Sequence, residues 1–305
     1  MVKNLIDSYD NKPFIAILSY DEPENNIICA PEDAEKFGIK FKINAKNYNK
    51  INYTLEKEPI EFEKYLERFN ILSKYQKSKQ NELLNLCFPT KIKTNLSLEE
   101  IYQYSTAKAL VYKENDFVCF SPEPFITIKN GCIHTFPMKG TIDATLPNAK
   151  ETLLNNKKEI DEQYKMVGFM KDDLSLVAED IKVEKFRYIQ RVKNLYQTSS
   201  YLKGKIKANL SLGDIFSALV PAASIAGSPR DKAIEIIKEC EISKRGFYTG
   251  AFVYFDGNIC KSFVLIRFVK QSKDGLYFFS GGGVTQQSDP KKEYDELIKK
   301  VYFPF

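Results

Sequence analysis

Lys139 lies in Pro137-Met138-Lys139-Gly140-Thr141, between a β-type run from Phe125 to Phe136 and a glycine turn. Within that run Ile126, Ile128, Cys132 and Ile133 read as a hairpin, and Asn130-Gly131 supplies the positive φ of its turn. A lysine at a strand end can project into a cleft, where a desolvated amine acts as a nucleophile. It can equally be a solvated side chain beside a loop. Four acidic residues form two further candidates. Glu159 and Glu162 are three apart on a predicted helix, and Glu293 and Glu296 repeat the spacing near the C-terminus, so each pair faces one side of its helix. Two such pairs on facing helices could hold a hard cation such as Mg²⁺ through oxygen. Solvated faces neutralised by Lys157, Lys158, Lys292, Lys299 and Lys300 are the other reading. Gly281-Gly282-Gly283, at an expected strand-to-helix junction, lets backbone N–H groups approach an anion or simply makes a tight turn. Arg267 falls inside the apolar run Ser262 to Phe268, where it forks a carboxylate or caps a sheet edge.

Composition narrows the chemistry. The chain has 305 residues, 43% hydrophobic and 28% charged, which suits one soluble globular domain with a sizeable core. The net charge of +5 comes from dispersed lysines. It favours anionic ligands and is too diffuse for a nucleic-acid footprint. A single histidine, His134, excludes a His-based zinc cluster and leaves any Ser-His or Cys-His triad dependent on that residue. The six cysteines are far apart, lack a CxxC pair and sit mostly in apolar runs, so buried free thiols in a reducing compartment are expected. No signal-like N-terminus and no long apolar run is present, so a cytoplasmic protein without a membrane partner is expected.

The elements that must position these residues follow from periodicity. Phe14 to Tyr20 reads as a buried strand, with short strands at Ile27 to Ala30 and Ile39 to Ile43. Glu61 to Lys77 has helical spacing, Glu82 to Pro89 is strand-like, and Ser97 with Glu100 forms a capping box. Ala109 to Ser121 is a strand pair. Ala149 to Asp173 reads as one long helix, Ile181 to Val192 as strand, and Leu195 to Ile206 is ambiguous. A short helix at Asp214 to Ala218, a small-residue loop from Pro221 to Gly227 and a helix opened by Pro229 come next. Phe247 to Phe255, Asn258 to Val269 and Leu276 to Ser280 predict an antiparallel meander, and Pro290 to Val301 a closing helix. Strands come in antiparallel blocks with helices between the blocks. That predicts an α+β fold with stacked sheets and outer helices.

Six segments, in order, resemble the chorismate-utilising enzymes: Ser121-Pro-Glu-Pro-Phe125 (SPERF), Pro137 to Thr141 (PIKGT), Glu162 to Leu174 (E-H/N-x-M-I-V-D-L-x-R-N-D-L), Pro221 to Ile237 (PAGSITGAPKxRAMEII), Arg245 to Gly250 (RGxYxG) and Gly281 to Glu296 (GGGIVxDSDPxxEYxE). The resemblance runs from about Asn81 to the C-terminus. It implies a catalytic region over 81–305 and a divergent N-terminal part of the same domain over 1–80. The implied fold is a single domain of two antiparallel sheets packed face to face with helices outside. Within the family, aminodeoxychorismate synthases carry Lys at the Lys139 position and anthranilate synthases carry Ala, so the resemblance is to aminodeoxychorismate synthase component I. It implies Lys139 as nucleophile and Glu123 as general acid. It further implies Mg²⁺ on Glu162 and Glu296 with Glu159 and Glu293 acting through water, and substrate contacts from Thr141, Gly227, Tyr248, Arg267, Gly281, Gly282, Gly283 and Lys300. Chorismate is the implied substrate, with ammonia delivered by a separate glutamine amidotransferase subunit. The chain departs from the family pattern at Asn194, where many members have His, and at Ala226, Gly168, Lys171-Asp172 and Phe268. Asn194 and Ala226 also suit a weakly catalytic subunit that mainly binds a glutaminase.

Overall fold

The computed structural model describes residues 1–47, 51–78, 83–192 and 195–305. Glu82, expected to open a strand, and Asn194 lie outside the described residues.

Two antiparallel sheets make a single α+β domain. Among the described residues the first sheet has nine strands, in the order Met138–Asp143, Leu195–Ile206, Cys132–Thr135, Pro124–Lys129, Cys260–Val264, Ala251–Phe255, Phe14–Leu18 and Ile27–Cys29, with Ala178–Val192 on the free side of Leu195–Ile206. The second has eight, in the order Gly227–Ser228, Leu83–Lys93, Gly275–Val284, Phe268–Ser272, Phe117–Ser121, Ala107–Lys113 and Ile39–Ala45, with Glu56–Glu58 beside Leu83–Lys93.

Strand Phe14–Leu18 shows why its sequence is apolar at every position. Ile15 and Ile17 point between the sheets, where they meet Val111, Phe117, Phe252 and Phe268. Phe14, Ala16 and Leu18 point the other way, onto Met166, Met170 and Leu174 of helix Lys157–Ser175 and Phe216 of helix Leu212–Leu219. Both faces are covered, so alternation is lost. On the outer face of the second sheet, helices Phe62–Lys77, Arg230–Cys240 and Pro290–Lys299 bury Leu72, Ile236 and Leu297 against Leu84, Leu86 and Phe88.

Several local expectations hold. Asn130 (φ 53°) and Gly131 (φ 69°) make the hairpin turn, and the Ser97–Glu100 capping box is formed in both directions. All six cysteines are free, and five are buried.

Others need correction. Ala149 to Asp173 is two helices, Ala149–Asn155 and Lys157–Ser175. Asn156 leaves the helical region (φ −69°, ψ 105°), and its side chain accepts the Glu159 N–H at 3.3 Å, restarting the helix as an N-cap. Leu195 to Ile206 is a full strand, and Pro221 to Gly227 contains a helical turn, Ala223–Ala226, before Gly227–Ser228 joins the second sheet. The strand expected from Phe247 begins only at Ala251. The expected strand Asn258 to Val269 is broken: Cys260–Val264 belongs to the first sheet and Phe268–Ser272 to the second. The chain crosses at Leu265-Ile266-Arg267, where Arg267 adopts φ 57°. The three glycines do not end their strand. They lie in its ladder, opposite Cys87, Leu86 and Asn85.

Candidate functional site

A cavity of about 220 Å³ opens where the two sheets diverge, and segments from both sheets meet there. The first sheet contributes Glu123, Lys139 and Gln197. The second contributes Asn85 and Gly281 to Gly283. The crossing contributes Arg267, and Tyr248, Ser224, Met166 and Lys300 are also part of the wall.

Glu123 precedes strand Pro124–Lys129. Its backbone is pinned, because its N–H donates to Ser121 Oγ at 3.2 Å and its carbonyl accepts the Val264 N–H at 3.1 Å. Burial pushes its carboxyl up to about 7, against the opposing charges of Lys139, Arg267 and Lys300.

Lys139 sits at the second position of strand Met138–Asp143. Gly140 is not a terminating turn, as its sequence context suggests, but the bulge where the register with Leu195–Ile206 shifts. Its φ is 62°, and a Cβ there would lie 2.7 Å from Glu159 Oε2. Thr198 donates its hydroxyl to the Lys139 carbonyl. The bulge aims the side chain into the cavity, with Nζ 3.9 Å from Glu162 Oε2. Lys158 reaches the other oxygen of Glu162 at 3.6 Å.

The two carboxylate pairs occupy equivalent places. Glu159 and Glu293 each lie in the first turn of their helices. Burial and the neighbouring Glu162 raise Glu159, and burial raises Glu293. Burial acts in the same sense on Glu296, but Lys300, at 2.7 Å, outweighs it and the carboxyl falls below its usual range. Lys139 and Lys158 act on Glu296 as well as on Glu159, so the two pairs share one electrostatic neighbourhood. Among the described residues no three His, Cys, Asp or Glu side chains are drawn together at metal-ligating distance. The donor set is nevertheless all oxygen, partly buried and mutually repelling, which is the chemistry a hard divalent cation relieves.

Arg267 is partly buried, its Cζ lies 5.5 Å from the centre of the Tyr302 ring, and its Nε is buried with no hydrogen-bond partner in the structure. The residue as a whole lines the cavity. Lys300 Nζ donates to the Gly281 carbonyl at 2.8 Å. Gly281 is required by close approach, since a Cβ would fall 2.3 Å from Cys87 Sγ and 2.7 Å from the Leu86 carbonyl.

Of the residues expected to contact substrate, Tyr248, Arg267, Gly281, Gly282, Gly283 and Lys300 line the cavity with Lys139 and Glu123. Thr141 and Gly227 do not. Thr141 is exposed beyond the bulge, and Gly227 is buried in the ladder opposite Leu84. His134 is also outside the wall, with Nδ1 2.9 Å from the Tyr201 hydroxyl, and reads as structure.

Residues 13–305 match the sequence profile of the chorismate binding enzymes. The chain belongs to that family. An uncharacterized PabA-like protein of Haemophilus influenzae is 44% identical over 96% of this chain and 92% of its own length. The aminodeoxychorismate synthase component 1 of Bacillus subtilis is 30% identical over 61% of this chain and 41% of that protein. The anthranilate synthase component 1 of Aquifex aeolicus is 29% identical over 59% and 38%. Among solved structures, the menaquinone-specific isochorismate synthase of Escherichia coli superposes with a TM-score of 0.77 over 98% of this chain and 79% of its own, at 15% identity, which speaks for a shared fold.

Two groups at this cavity escaped the sequence. Asn85 and Gln197 line the wall, and nothing in their local pattern marks them. Arg245 stands behind the wall, 2% exposed. It forks Glu241 at 2.6 and 2.9 Å, donates to the Asn85 carbonyl at 2.6 Å and to Thr249 Oγ1 at 3.1 Å, and stacks on Tyr20. Its sequence signal was the Arg245 to Gly250 segment, which names the position without its partners. Arg245→Met leaves Glu241 buried and unpaired, so it is expected to cost about 3–5 kcal/mol of stability. The check is the urea midpoint, and Glu241→Leu added to Arg245→Met should recover part of the loss. A midpoint equal to wild type would show that the pair does not hold the wall.

Proposed function

We propose that the protein converts chorismate and ammonia to 4-amino-4-deoxychorismate and water, as the synthase component of a glutamine-dependent pair. One observation carries this reading. Lys139 and Glu123, an amine and a carboxylic acid from separate segments, line one cavity whose other charged groups are Arg267 and Lys300. The cationic side chains suit a substrate with two carboxylates. Arg267, Tyr248 and the Gly281 to Gly283 strand hold the enolpyruvyl carboxylate, and Lys300 adds a further contact. Glu162 and Glu296, with Glu159 and Glu293 through water, are the residues that would hold Mg²⁺. The ion would supply positive charge to the ring carboxylate.

The steps assigned to the chain's own residues balance. Glu123 delivers its proton to the 4-hydroxyl, which leaves as water while the neutral Lys139 amine bonds to C2 and both conjugated ring double bonds shift towards C4. Ammonia then bonds to C4, both double bonds return, and Lys139 leaves C2 as the amine. The ammonium proton that remains restores Glu123.

Anthranilate formation is the second reading, because anthranilate synthase components match the chain at nearly the same identity as aminodeoxychorismate synthases. Mass spectrometry of the products from chorismate, MgCl₂ and ammonium chloride decides. 4-Amino-4-deoxychorismate is expected, and anthranilate alone would overturn the assignment.

The nitrogen source gives a further expected result. Glutamine hydrolysis in the amidotransferases that serve such synthases uses a thiolate and a histidine base. His134 is the one histidine, and it is bonded to Tyr201 away from the cavity. The isolated chain should therefore use ammonium and not glutamine, and gain glutamine use only with a separate glutaminase. Glutamate release by the purified chain at the rate of amination would refute this.

A further inference from the structure

The geometry points to Gln163 as the residue that sets the position of Lys139 relative to the acidic helix. This inference rests on the proposed role of Lys139. Gln163 follows Glu162 on helix Lys157–Ser175 and is fully buried, pointing away from the carboxylates and into the sheet. Its Nε2 donates to the Pro137 carbonyl at 3.2 Å and to Ser200 Oγ at 3.0 Å. Pro137 is two residues ahead of Lys139. Ser200 lies on the strand that pairs with Lys139's own, and its hydroxyl also accepts the Arg187 N–H at 3.2 Å. One side-chain amide therefore ties the helix bearing Glu159 and Glu162 to the strand bearing Lys139.

Neither partner needs that amide to be satisfied. The Pro137 carbonyl also accepts the Ser200 N–H at 3.0 Å, and Ser200 Oγ keeps the Arg187 N–H. Gln163 Oε1, meanwhile, is buried with no partner in the structure, a standing cost that a methionine of similar length would not carry. Turning the amide over would bring Oε1 against the Pro137 carbonyl, so the donor orientation is the consistent one. A group that its partners can spare, and that carries an orphan acceptor, does little for folding. Its effect is directional. Met166 and Met170, on the same helix, are buried in apolar contacts that tolerate small slides. The two hydrogen bonds fix the register in which Glu162 stands 3.9 Å from Lys139 Nζ and Glu159 lies under the Gly140 bulge.

Gln163→Met is the test. The expected result is a melting temperature within about 2 °C of wild type or higher. It is accompanied by a fall in kcat for chorismate consumption on the order of 10–100-fold and a KM changed by less than about threefold. Hydrogen exchange needs no substrate and reads the same device directly. Amides of residues 138–143 should exchange about tenfold faster, while those of strand Phe14–Leu18 stay unchanged. Ser200→Ala leaves Gln163 its bond to Pro137 but takes the acceptor from the buried Arg187 N–H, so it should show the same exchange pattern more weakly, with a lower melting temperature. If the proposed chemistry fails, with Lys139→Ala as active as wild type, the exchange experiment still decides whether Gln163 holds this strand. Unchanged exchange at 138–143 would overturn the inference. So would a large loss of stability or failure to fold, because that would make the amide a general stabiliser.

Discussion

Lys139→Ala is expected to lower formation of 4-amino-4-deoxychorismate by on the order of 10³-fold or more, because the attacking amine is removed and no other described amine replaces it at that point of the wall. Lys300 is the other lysine of the cavity wall, and it is held at 2.7 Å by Glu296 and at 2.8 Å by the Gly281 carbonyl. The fold should hardly respond. The Lys139–Glu162 pair is long and partly solvated, with side chains 26% and 33% exposed, and such pairs contribute about 0–1 kcal/mol. The Gly140 bulge depends on backbone conformation and on Thr198, which the substitution leaves in place. Product-resolved mass spectrometry with a parallel thermal melt is the measurement. Wild-type amination by the variant would sink the covalent route. Residual anthranilate would not, since an alanine here is the anthranilate synthase pattern.

Glu123→Gln is expected to lose activity and gain stability. As the acid that protonates a leaving hydroxyl, Glu123 should be worth about 10²–10⁴ in rate. Activity of the native protein should fall as pH rises past about 7, where this partly buried carboxyl loses its proton. Stability responds to the same proton. Folding raises this carboxyl from 4.5 to about 7, so the folded state holds the proton more tightly than the unfolded chain. The associated stability is fully present below pH 4.5 and is lost as pH rises through 7. At pH 8 the native protein carries a partly buried charge that glutamine would not. The full shift corresponds to about 3 kcal/mol, which access of water through the cavity mouth reduces to about 2 kcal/mol. Denaturant titrations of both proteins at pH 5 and pH 8 give the answer. The variant should be the more stable at pH 8, with the advantage shrinking towards pH 5. Equal stability at both values would mean that folding does not raise the Glu123 carboxyl.

What the sequence alone determined is what short-range rules govern. Asn130-Gly131 is a turn because those two residues tolerate positive φ at little cost. Ser97 and Glu100 cap a helix because three residues span the distance between a hydroxyl and an N–H. Glu159 and Glu162, like Glu293 and Glu296, share a face because the helical repeat puts them there. The six segments from Ser121 to Glu296 carried the family, and with it the two-sheet fold. The tertiary structure decided everything that depends on register between distant segments. Asn156 could have continued a helix, but its side chain caps the next one instead. The run from Phe263 to Val269 is apolar but for Arg267, and only the tertiary structure reveals the crossing between the sheets that leaves Arg267 at φ 57° on the cavity wall. Gly281 looks like a turn residue until strand Leu83–Lys93 is laid beside it, and then the close approach of Cys87 explains the missing side chain. Asn85 and Gln197 have no local mark, because a wall residue is defined by what stands opposite. Arg245 and Gln163 are the extreme cases: their partners lie up to 160 residues away, and a hydrogen bond between strangers in sequence leaves no periodicity to read.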